Sequence, residues 1–391
     1  MPWTLQMTLL LTLLISMVLI YIGIRLRWSV RSSNPRHTRL FYGIYLSAMT
    51  AFLIYPVMGY IQHSLGYEFS WESVSPLLMY PFWYGLVFWG VLFSWFLAAD
   101  LLALIFWLGF KVDPPQFKTM HANLLLGLAG VVALYVGARM VWDTHRIETE
   151  EIIYNLDDPN LKGFTIVHIS DLQADRYTSR AKMERYMNKI NAAEPDMVIF
   201  TGDLITEGPD YIIAGAEAIG RTESEYGVYA VIGDHDYWAG EENVVEELEN
   251  QDVIVLQDEN QWIEHNGSTI KLTGVTEIYN QKIDPTKLQN LLNEDREESL
   301  SILMTHQATD KIIHSTHDSG YHQLLAGHTH GGQIKVPFFF YHLSGARRDT
   351  PYVQGTWWMN NMLFNINSGL GFTLAPVRYN APANVSVITI R

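Results

Sequence analysis

The sequence contains no cysteine and little positive charge. Its 391 residues include 26 Lys and Arg against 41 Asp and Glu, which gives a formal net charge of −15. The lack of cysteine excludes disulfides and thiolate zinc sites and is compatible with either redox compartment. The shortage of basic residues argues against a nucleic-acid partner, because binding phosphate backbones relies on Lys and Arg. The length favours two or three domains.

Charge is also scarce in the first part of the chain. Up to Glu150 there are 9 Lys and Arg and 7 Asp and Glu, which leaves 17 and 34 for the remainder. The first part therefore carries a charge of about +2 and the second about −17. This contrast predicts two domains, over residues 1–150 and 151–391.

Four long apolar stretches occupy the first domain, near residues 4–24, 40–62, 77–110 and 121–141. Each can cross a hydrocarbon core of ~30 Å. The third is too long for one upright span and too short for two, so we expect one tilted helix. The first lacks a preceding basic region and a small-residue cleavage site, which favours a retained anchor over a signal peptide. The pattern predicts a multi-pass membrane domain of four helices.

Basic residues predict the orientation of this domain. Five arginines lie between the first two stretches, and two lysines lie between the last two. The only charged residues counted in the remaining short loop are Glu68 and Glu72. The basic residues are Arg25, Arg27, Arg31, Arg36, Arg39, Lys111 and Lys118. The positive-inside rule places the arginine-rich loop in the cytoplasm. Four crossings then place both termini and the acidic domain outside the cytoplasmic membrane.

Asp100 lies inside the third apolar stretch. A charge there is costly and often functional. The alternative, which we favour, is a carboxyl group hydrogen-bonded to a neighbouring helix.

The acidic half reads as repeated βαβ units. Short apolar runs at 164–169, 196–200, 227–232, 301–304 and 323–325 predict strands, and 180–192 predicts an amphipathic helix. Each of the five strands is followed by Asp or His; these residues are Asp171, Asp203, Asp234, His306, His328 and His330. Ligands of open α/β sheets bind at the carboxyl ends of strands. Five such ends together predict a binding site rather than a set of helix caps.

These segments resemble a known family pattern. In chain order they are Asp171-Leu172-Gln173, Gly202-Asp203, Gly233-Asp234-His235-Asp236, His306 and Gly327-His328-Thr329-His330. They resemble the D-x-H, G-D, G-N-H-D, H and G-H-x-H series of the calcineurin-like metallophosphoesterase superfamily. Gly331 to Ile334 and the tail at 367–378 look like its membrane-associated bacterial branch. The resemblance covers about 162–391 and implies an α/β four-layer (αββα) sandwich.

The resemblance also implies two metal sites. One divalent ion would be held by Asp171, the bridging Asp203 and His330. The other would be held by Asp203, Asp234, His306 and His328. His235 would stand outside both coordination spheres and face the scissile phosphate.

Two positions depart from the family pattern. Gln173 replaces the first histidine, and Asp234 replaces the asparagine. A glutamine amide oxygen can still coordinate a metal, and an oxygen ligand favours Mn²⁺ or Mg²⁺ over Zn²⁺, with iron also compatible. Asp234 adds a negative charge, which should hold metal more tightly and attract phosphate less strongly.

The predicted function is that of a membrane-anchored dimetal phosphoesterase acting on a phosphomonoester or phosphodiester. Two metal ions lower the pKa of water enough to supply hydroxide and clamp the phosphoryl oxygens. His235 is predicted to protonate the departing alcohol. Asp236 either orients His235 or caps a helix.

Tethering at the bilayer favours phospholipid or lipid-linked substrates, although periplasmic nucleotides also suit an anchored enzyme. Two other functions stay open: a metal-binding sensor or accessory domain with weakened catalysis, and, less favoured, a transporter with an accessory phosphatase.

Overall fold

The computed structural model describes residues 1–67, 74–110, 114–294 and 296–391. Glu68, Glu72 and Lys111, which contribute to the predicted orientation, lie outside these residues. The chain divides into two compact units, here called unit 1 and unit 2. Unit 1 comprises 1–142 with 334–343, and unit 2 comprises 143–333 with 344–391. The sequence analysis divides the chain between residues 150 and 151 and assigns residues 334–343 to the second domain, whereas the structure groups them with unit 1.

Unit 1 contains four long helices, α1 (Trp3–Ser33), α2 (Thr38–Ser64), α3 (Pro76–Phe110) and α4 (Pro114–His145), and the last three residues of α4 belong to unit 2. All four are long and apolar enough to cross a membrane. A helix suits that environment because it satisfies its own backbone hydrogen bonds. The third stretch forms one helix, in agreement with the sequence analysis.

Asp100 on α3 joins three helices of unit 1. Its Oδ1 lies 2.6 Å from Nη2 of Arg25 on α1 and 2.8 Å from Nε2 of His121 on α4. The Tyr21 hydroxyl donates to Oδ2 at 2.7 Å. The carboxyl group is therefore hydrogen-bonded to neighbouring helices, the alternative that we favour above. The apolar pattern assigned Arg25, Arg27, Arg31 and Arg39 to a loop, but the first three lie within α1 and Arg39 lies within α2. Pairing with Asp100 offsets the cost of the Arg25 charge inside the helix bundle.

Unit 2 contains two six-stranded mixed sheets. The first has the order β1-β14-β2-β3-β4-β5, and the second has β12-β13-β9-β8-β7-β6. In the first sheet β2 to β5 are parallel, and in the second β7, β8, β9 and β13 are parallel. The strands are β1 (Ile147–Tyr154), β2 (Thr165–Ile169), β3 (Met197–Phe200), β4 (Val228–Ala230), β5 (Val253–Val255), β6 (Glu259–His265), β7 (Ser268–Val275), β8 (Leu300–Thr305), β9 (Gln323–Ala326), β12 (Gly355–Met359), β13 (Met362–Ile366) and β14 (Ala383–Ile390).

The remaining strands, β10 (Val336–Phe338) and β11 (Tyr341–Leu343), form a hairpin that belongs to unit 1. The helices of unit 2 are α5 (Arg180–Asn191), α6 (Ile212–Ile219), α7 (Asp234–Glu249), α8 (Pro285–Asn293) and α9 (Asp310–Asp318). Short 3-10 helices occupy Pro35–His37, His330–Gly332 and Gly345–Arg348.

The predicted strands agree with the structure to within two residues at each end. Strands β3, β8 and β9 are buried at every residue. Parallel strands covered on both faces have such continuous apolar sequences, which explains why the pattern was readable. The predicted amphipathic helix also forms, as α5, and buries Met183, Tyr186, Met187 and Ile190.

Three apolar cores hold unit 2 together. One lies between α5, α6 and α7 and the first sheet, a second is shared by the two sheets, and a third lies between the second sheet and α8 and α9. His168 is buried on β2, with Nδ1 2.7 Å from Oδ1 of Asn365 and Nε2 3.0 Å from the Thr201 hydroxyl. It is a satisfied structural histidine.

Candidate metal centre

The strand ends of unit 2 converge. Asp171 follows β2, Asp203 follows β3 and Asp234 follows β4, all in the first sheet. His306 follows β8, and His328 and His330 follow β9, all in the second sheet. Because these strands run parallel within each sheet, their carboxyl ends deliver the six side chains to one region.

The six side chains form two groups. The ligand atoms of Asp171, Asp203 and His330 all lie within 4.8 Å of one another, and so do those of Asp234, His306 and His328. In the first group, Nε2 of His330 lies 3.2 Å from Oδ1 of Asp171. In the second, Nδ1 of His328 lies 3.0 Å from Oδ2 of Asp234.

Asp203 connects the two groups. Its Oδ2 lies 3.4 Å from Nε2 of His306, which belongs to the second group. Nε2 of His306 is also 3.6 Å from Oδ2 of Asp234. A carboxylate has two oxygens, so Asp203 is positioned to be shared between two ions.

Glycine makes this crowding sterically possible. A Cβ atom on Gly233 would lie 2.1 Å from Oδ1 of Asp203, and one on Gly327 would lie 2.5 Å from Oδ2 of Asp171. Both distances are too short for any side chain. The glycines beside the strand ends are therefore required for the close packing of the acidic side chains.

The backbone of the site is unusual. Five of the predicted metal ligands have left-handed φ values between 49° and 71°; they are Asp171, Gln173, Asp203, His328 and His330. Such conformations cost free energy in residues other than glycine and occur preferentially at functional sites.

Several buried polar atoms at the site have no hydrogen-bond partner among the described residues. They include Oδ1 of Asp171, Oε1 of Gln173 and Nε2 of His306. Buried polar atoms are nearly always satisfied in proteins, and exceptions call for an ion, a water or a functional role. Unpaired carboxylate oxygen, amide oxygen and imidazole nitrogen atoms are suitable ligands for divalent metal ions.

The electrostatics of the site also favour cations. Burial raises the pKa of Asp171 to about 6. Burial alone would raise the pKa of Asp203, but the positive charges of His306 and His235 outweigh it and hold that pKa below its usual value. Burial opposes protonation of His306 as well, yet Asp203, Asp171 and Asp234 hold its pKa well above the ordinary value. The buried carboxylates thus require compensating positive charge.

Gln173 lies within the site but presents its amide nitrogen to Asp203. Nε2 donates to Oδ2 of Asp203 at 2.8 Å, while Oε1 is the unpaired atom. The side chain is fully buried. The unpaired Oε1 is therefore the atom that would serve the predicted role of metal ligand.

His235 borders the centre with one ring nitrogen fixed. Its backbone N–H donates to Oδ1 of Asp203 at 2.9 Å, and Nδ1 lies 2.5 Å from the Thr206 carbonyl oxygen. Nδ1 must donate to that carbonyl, which leaves Nε2 to exchange a proton. Thr373 is near this atom, with its hydroxyl 3.5 Å away.

Asp236 has a structural position. Its carboxylate accepts from the backbone N–H groups of Gly233 and Asp203 at 2.8 Å and of Leu204 at 2.7 Å. Of the two roles considered above, the structure supports capping, here of the turn that begins α7. The Thr206 carbonyl, rather than Asp236, holds the His235 ring.

Three residues that the sequence did not indicate surround the second group. Gln307 donates from Nε2 to Oδ2 of Asp234 at 2.7 Å, and the Tyr279 backbone N–H donates to Oδ1 at 2.7 Å. The Tyr279 hydroxyl lies 3.2 Å from Nε2 of His328 and donates to Asp349 at 3.0 Å. Gln307 follows His306 directly in the chain, and this neighbouring position could have identified it as a residue of the site. Tyr279 and Asp349 have no such signal.

Comparison with known proteins agrees with this geometry. Residues 164–332 match the family model described as calcineurin-like phosphoesterase, and this range contains all of the predicted ligands. The chain contains a domain of the calcineurin-like metallophosphoesterase superfamily. It is accordingly a metal-dependent phosphoester hydrolase, and divalent ions are the metals that its superfamily uses.

Relatives of this metallophosphoesterase occur in bacteria and animals. The Bacillus subtilis metallophosphoesterase YkuE is 28% identical over 297 residues, which cover 72% of this chain and 98% of YkuE. YkoQ of the same organism is 29% identical over 68% of this chain and 98% of its own length. A Bos taurus transmembrane protein with a metallophosphoesterase domain is 27% identical over 48% of this chain and 45% of its own. With four apolar helices, this metallophosphoesterase is a membrane protein.

Proposed function

We propose that the chain is a membrane-anchored dimetal phosphoesterase that hydrolyses a phosphomonoester or phosphodiester at this centre. Asp171, Asp203 and His330 would hold one ion, with Gln173 as a further oxygen ligand. Asp203, Asp234, His306 and His328 would hold the other. The position of Asp203 between the two groups carries this assignment. Oxygen ligands in both groups favour Mn²⁺ or Mg²⁺ over Zn²⁺.

The ions would supply an activated water and a positively charged clamp for the phosphoryl oxygens. The protein supplies proton transfer through His235. Since Nδ1 donates to Thr206, the protonated ring carries its second proton at Nε2 and can give it to the departing alcohol. Because Asp203 binds the His235 backbone N–H, the position of the imidazole is tied to that of the shared carboxylate.

The fold that accompanies this function is proposed to be the αββα sandwich, with residues 151–391 as the catalytic domain and 1–150 as the membrane domain. The three apolar cores of unit 2 support the sandwich, because each would fill one of the three spaces between four layers.

The membrane setting supports a phospholipid or lipid-linked substrate. An anchored catalytic domain encounters lipid headgroups at a high effective concentration. Arg36 lies between α1 and α2, and Arg27, Arg31 and Arg39 lie in the adjoining parts of these two helices. Their charges support a cytoplasmic position for this end of the helices, and hence an extracytoplasmic catalytic domain at the cytoplasmic membrane. A reporter fused after Arg391 tests this orientation. Alkaline phosphatase is active only outside the cytoplasm, whereas green fluorescent protein is fluorescent only inside it.

A screen of the purified full-length protein tests the activity. Manganese- or magnesium-loaded protein is assayed against lipid phosphates, aryl phosphodiesters and nucleotides, beside Asp203→Asn. We expect hydrolysis by the wild type that is lost in the variant and in chelator. Hydrolysis that persists in both would contradict the proposal.

A metal-binding sensor is the second candidate, and Asp234 favours it. This third buried carboxylate reduces the positive charge that the loaded centre offers to phosphate. Two bound ions without turnover of any phosphoester in the screen would support the sensor. In that case Asp234→Asn should restore turnover.

A further inference from the structure

The hairpin of β10 and β11 is unusually apolar for a connection between polar motifs. Its tip sequence is Phe338-Phe339-Phe340-Tyr341, and β10 starts six residues after His330. The side chain of Phe340 is 98% exposed, Tyr341 is 72% exposed and Phe339 is 54% exposed. Contiguous exposed aromatic side chains of this kind mark an interaction surface.

The hairpin packs on α3 within unit 1. The rings of Phe338 and Phe93 are stacked, with centroids 6.3 Å apart. The Ser94 hydroxyl donates to the Pro337 carbonyl oxygen at 3.3 Å. A Cβ atom on Gly90 would lie only 3.0 Å from Val336, so glycine permits the close approach of the two segments.

The contact between the hairpin and α3 lies at membrane depth whichever part of α3 spans the bilayer. A helix needs about 20 residues to cross the hydrocarbon core. Helix α3 has 35 residues, Pro76–Phe110. Every 20-residue segment of that helix includes residues 91–95, and therefore includes Phe93 and Ser94. The strand that packs on these two residues shares their depth.

The hairpin backbone suits an apolar environment. Its strands pair with each other from Val336 with Leu343 to Phe338 with Tyr341. Proline at 337 has no N–H to leave unsatisfied, and its carbonyl oxygen accepts from Ser94. Non-helical backbone is tolerated at membrane depth where protein covers it, and β10 is half-buried where it packs against α3.

We propose that the hairpin is a re-entrant segment of the membrane unit and that its tip, Phe339 to Tyr341, contacts the acyl chains of bilayer lipids. The occupant is lipid because the hairpin packs on α3, which is one of the helices long and apolar enough to cross a membrane. The tip itself carries no charge. This assignment does not depend on the chemistry at the metal centre.

The absence of cysteine gives a direct test. A nitroxide label is placed at Phe340→Cys, and separately at Tyr341→Cys, in the full-length protein reconstituted in vesicles of phosphatidylcholine and phosphatidylglycerol. Leu134→Cys on α4, where the leucine is 78% exposed, serves as the lipid-facing control. Glu246→Cys on α7, also exposed, serves as the water-facing control. Collisions with oxygen report lipid, and collisions with a water-soluble nickel chelate report water.

We expect the labels at 340 and 341 to behave as the label at 134 does, with high oxygen and low nickel accessibility. Nickel accessibility like that at 246 would overturn the proposal, because the tip would then be in water. Low accessibility to both reagents would overturn it as well, because protein, such as a second copy of the chain, would then cover the tip. Since residue 340 is almost fully exposed, its substitution should leave packing intact.

Discussion

The hydroxyl group of Tyr279 lies 3.2 Å from Nε2 of His328, while Nδ1 of the same imidazole faces Asp234 at 3.0 Å. The Tyr279 hydroxyl donates its proton to Asp349, so it must accept from Nε2–H of His328. This fixes the proton on Nε2 and leaves the Nδ1 lone pair for a metal ion. Outer partners of this kind orient metal-binding histidines and increase their basicity.

Tyr279→Phe should therefore weaken metal binding while preserving the fold. We expect a loss of about 10–100-fold in affinity at one of the two sites. Isothermal titration with Mn²⁺ measures it, with Tyr237→Phe, an exposed tyrosine of the same region, as the matched control. Equal affinity in Tyr279→Phe and the wild type would remove Tyr279 from the metal centre.

His235→Ala should lower turnover and leave metal content unchanged. A general acid contributes about 10²–10⁴-fold to rate, and the loss should be largest for substrates with poor leaving groups. His314→Ala is the control, because His314 is exposed and its ring is hydrogen-bonded to the Asp310 carbonyl oxygen of its own helix. An unchanged rate for a substrate with an alkyl leaving group would exclude the proton-donor role.

Metal affinity should fall as the pH is lowered. The pKa of His306 is held well above its ordinary value by the neighbouring carboxylates, so this ring is protonated near neutral pH and must lose its proton to bind metal. Asp171, with a pKa raised to about 6 by burial, adds a second competing proton in weak acid. Titration calorimetry in buffers of different ionisation enthalpy should show proton release on metal binding. Release of no protons between pH 6 and 8 would contradict this account.

Arg378 should be critical for stability. The buried guanidinium donates to backbone carbonyls on both sides of the metal loops, including those of His330, Ser368, Gly369, Gly371 and Ala381. Each carbonyl left unsatisfied costs about 1–3 kcal/mol, so Arg378→Met should lower the free energy of unfolding by at least about 3 kcal/mol. Thermal unfolding in detergent measures the change. Arg180→Met, at an arginine whose side chain is 70% exposed, is the control and should differ little from the wild type.

The features that the sequence predicted well are those set by local patterns. The buried parallel strands are continuous apolar runs, and the polar residue at each strand end is fixed by the chain itself. The sequence alone therefore predicts that Asp171, Asp203 and His306 lie close together. The four long helices of unit 1 follow from apolar length in the same way.

Features that depend on tertiary packing could not be predicted. Tyr279 is 49 residues from His328 and 70 residues from Asp349, and no periodicity connects the three. The hairpin at 334–343 follows the last metal motif without a break in the chain, so sequence continuity assigned it to the catalytic half. Its place in unit 1 depends on the packing of Phe338 and Pro337 against α3.

The side chains around Asp203 are proposed to hold two divalent ions that enable phosphoester hydrolysis. Bound manganese and phosphodiester turnover should be measured on the same preparations of wild-type protein and Asp203→Asn. We predict two ions per wild-type chain, turnover that rises with occupancy, and loss of both properties in the variant. A wild-type protein that binds no manganese, or a variant that retains two ions and full turnover, would contradict the account.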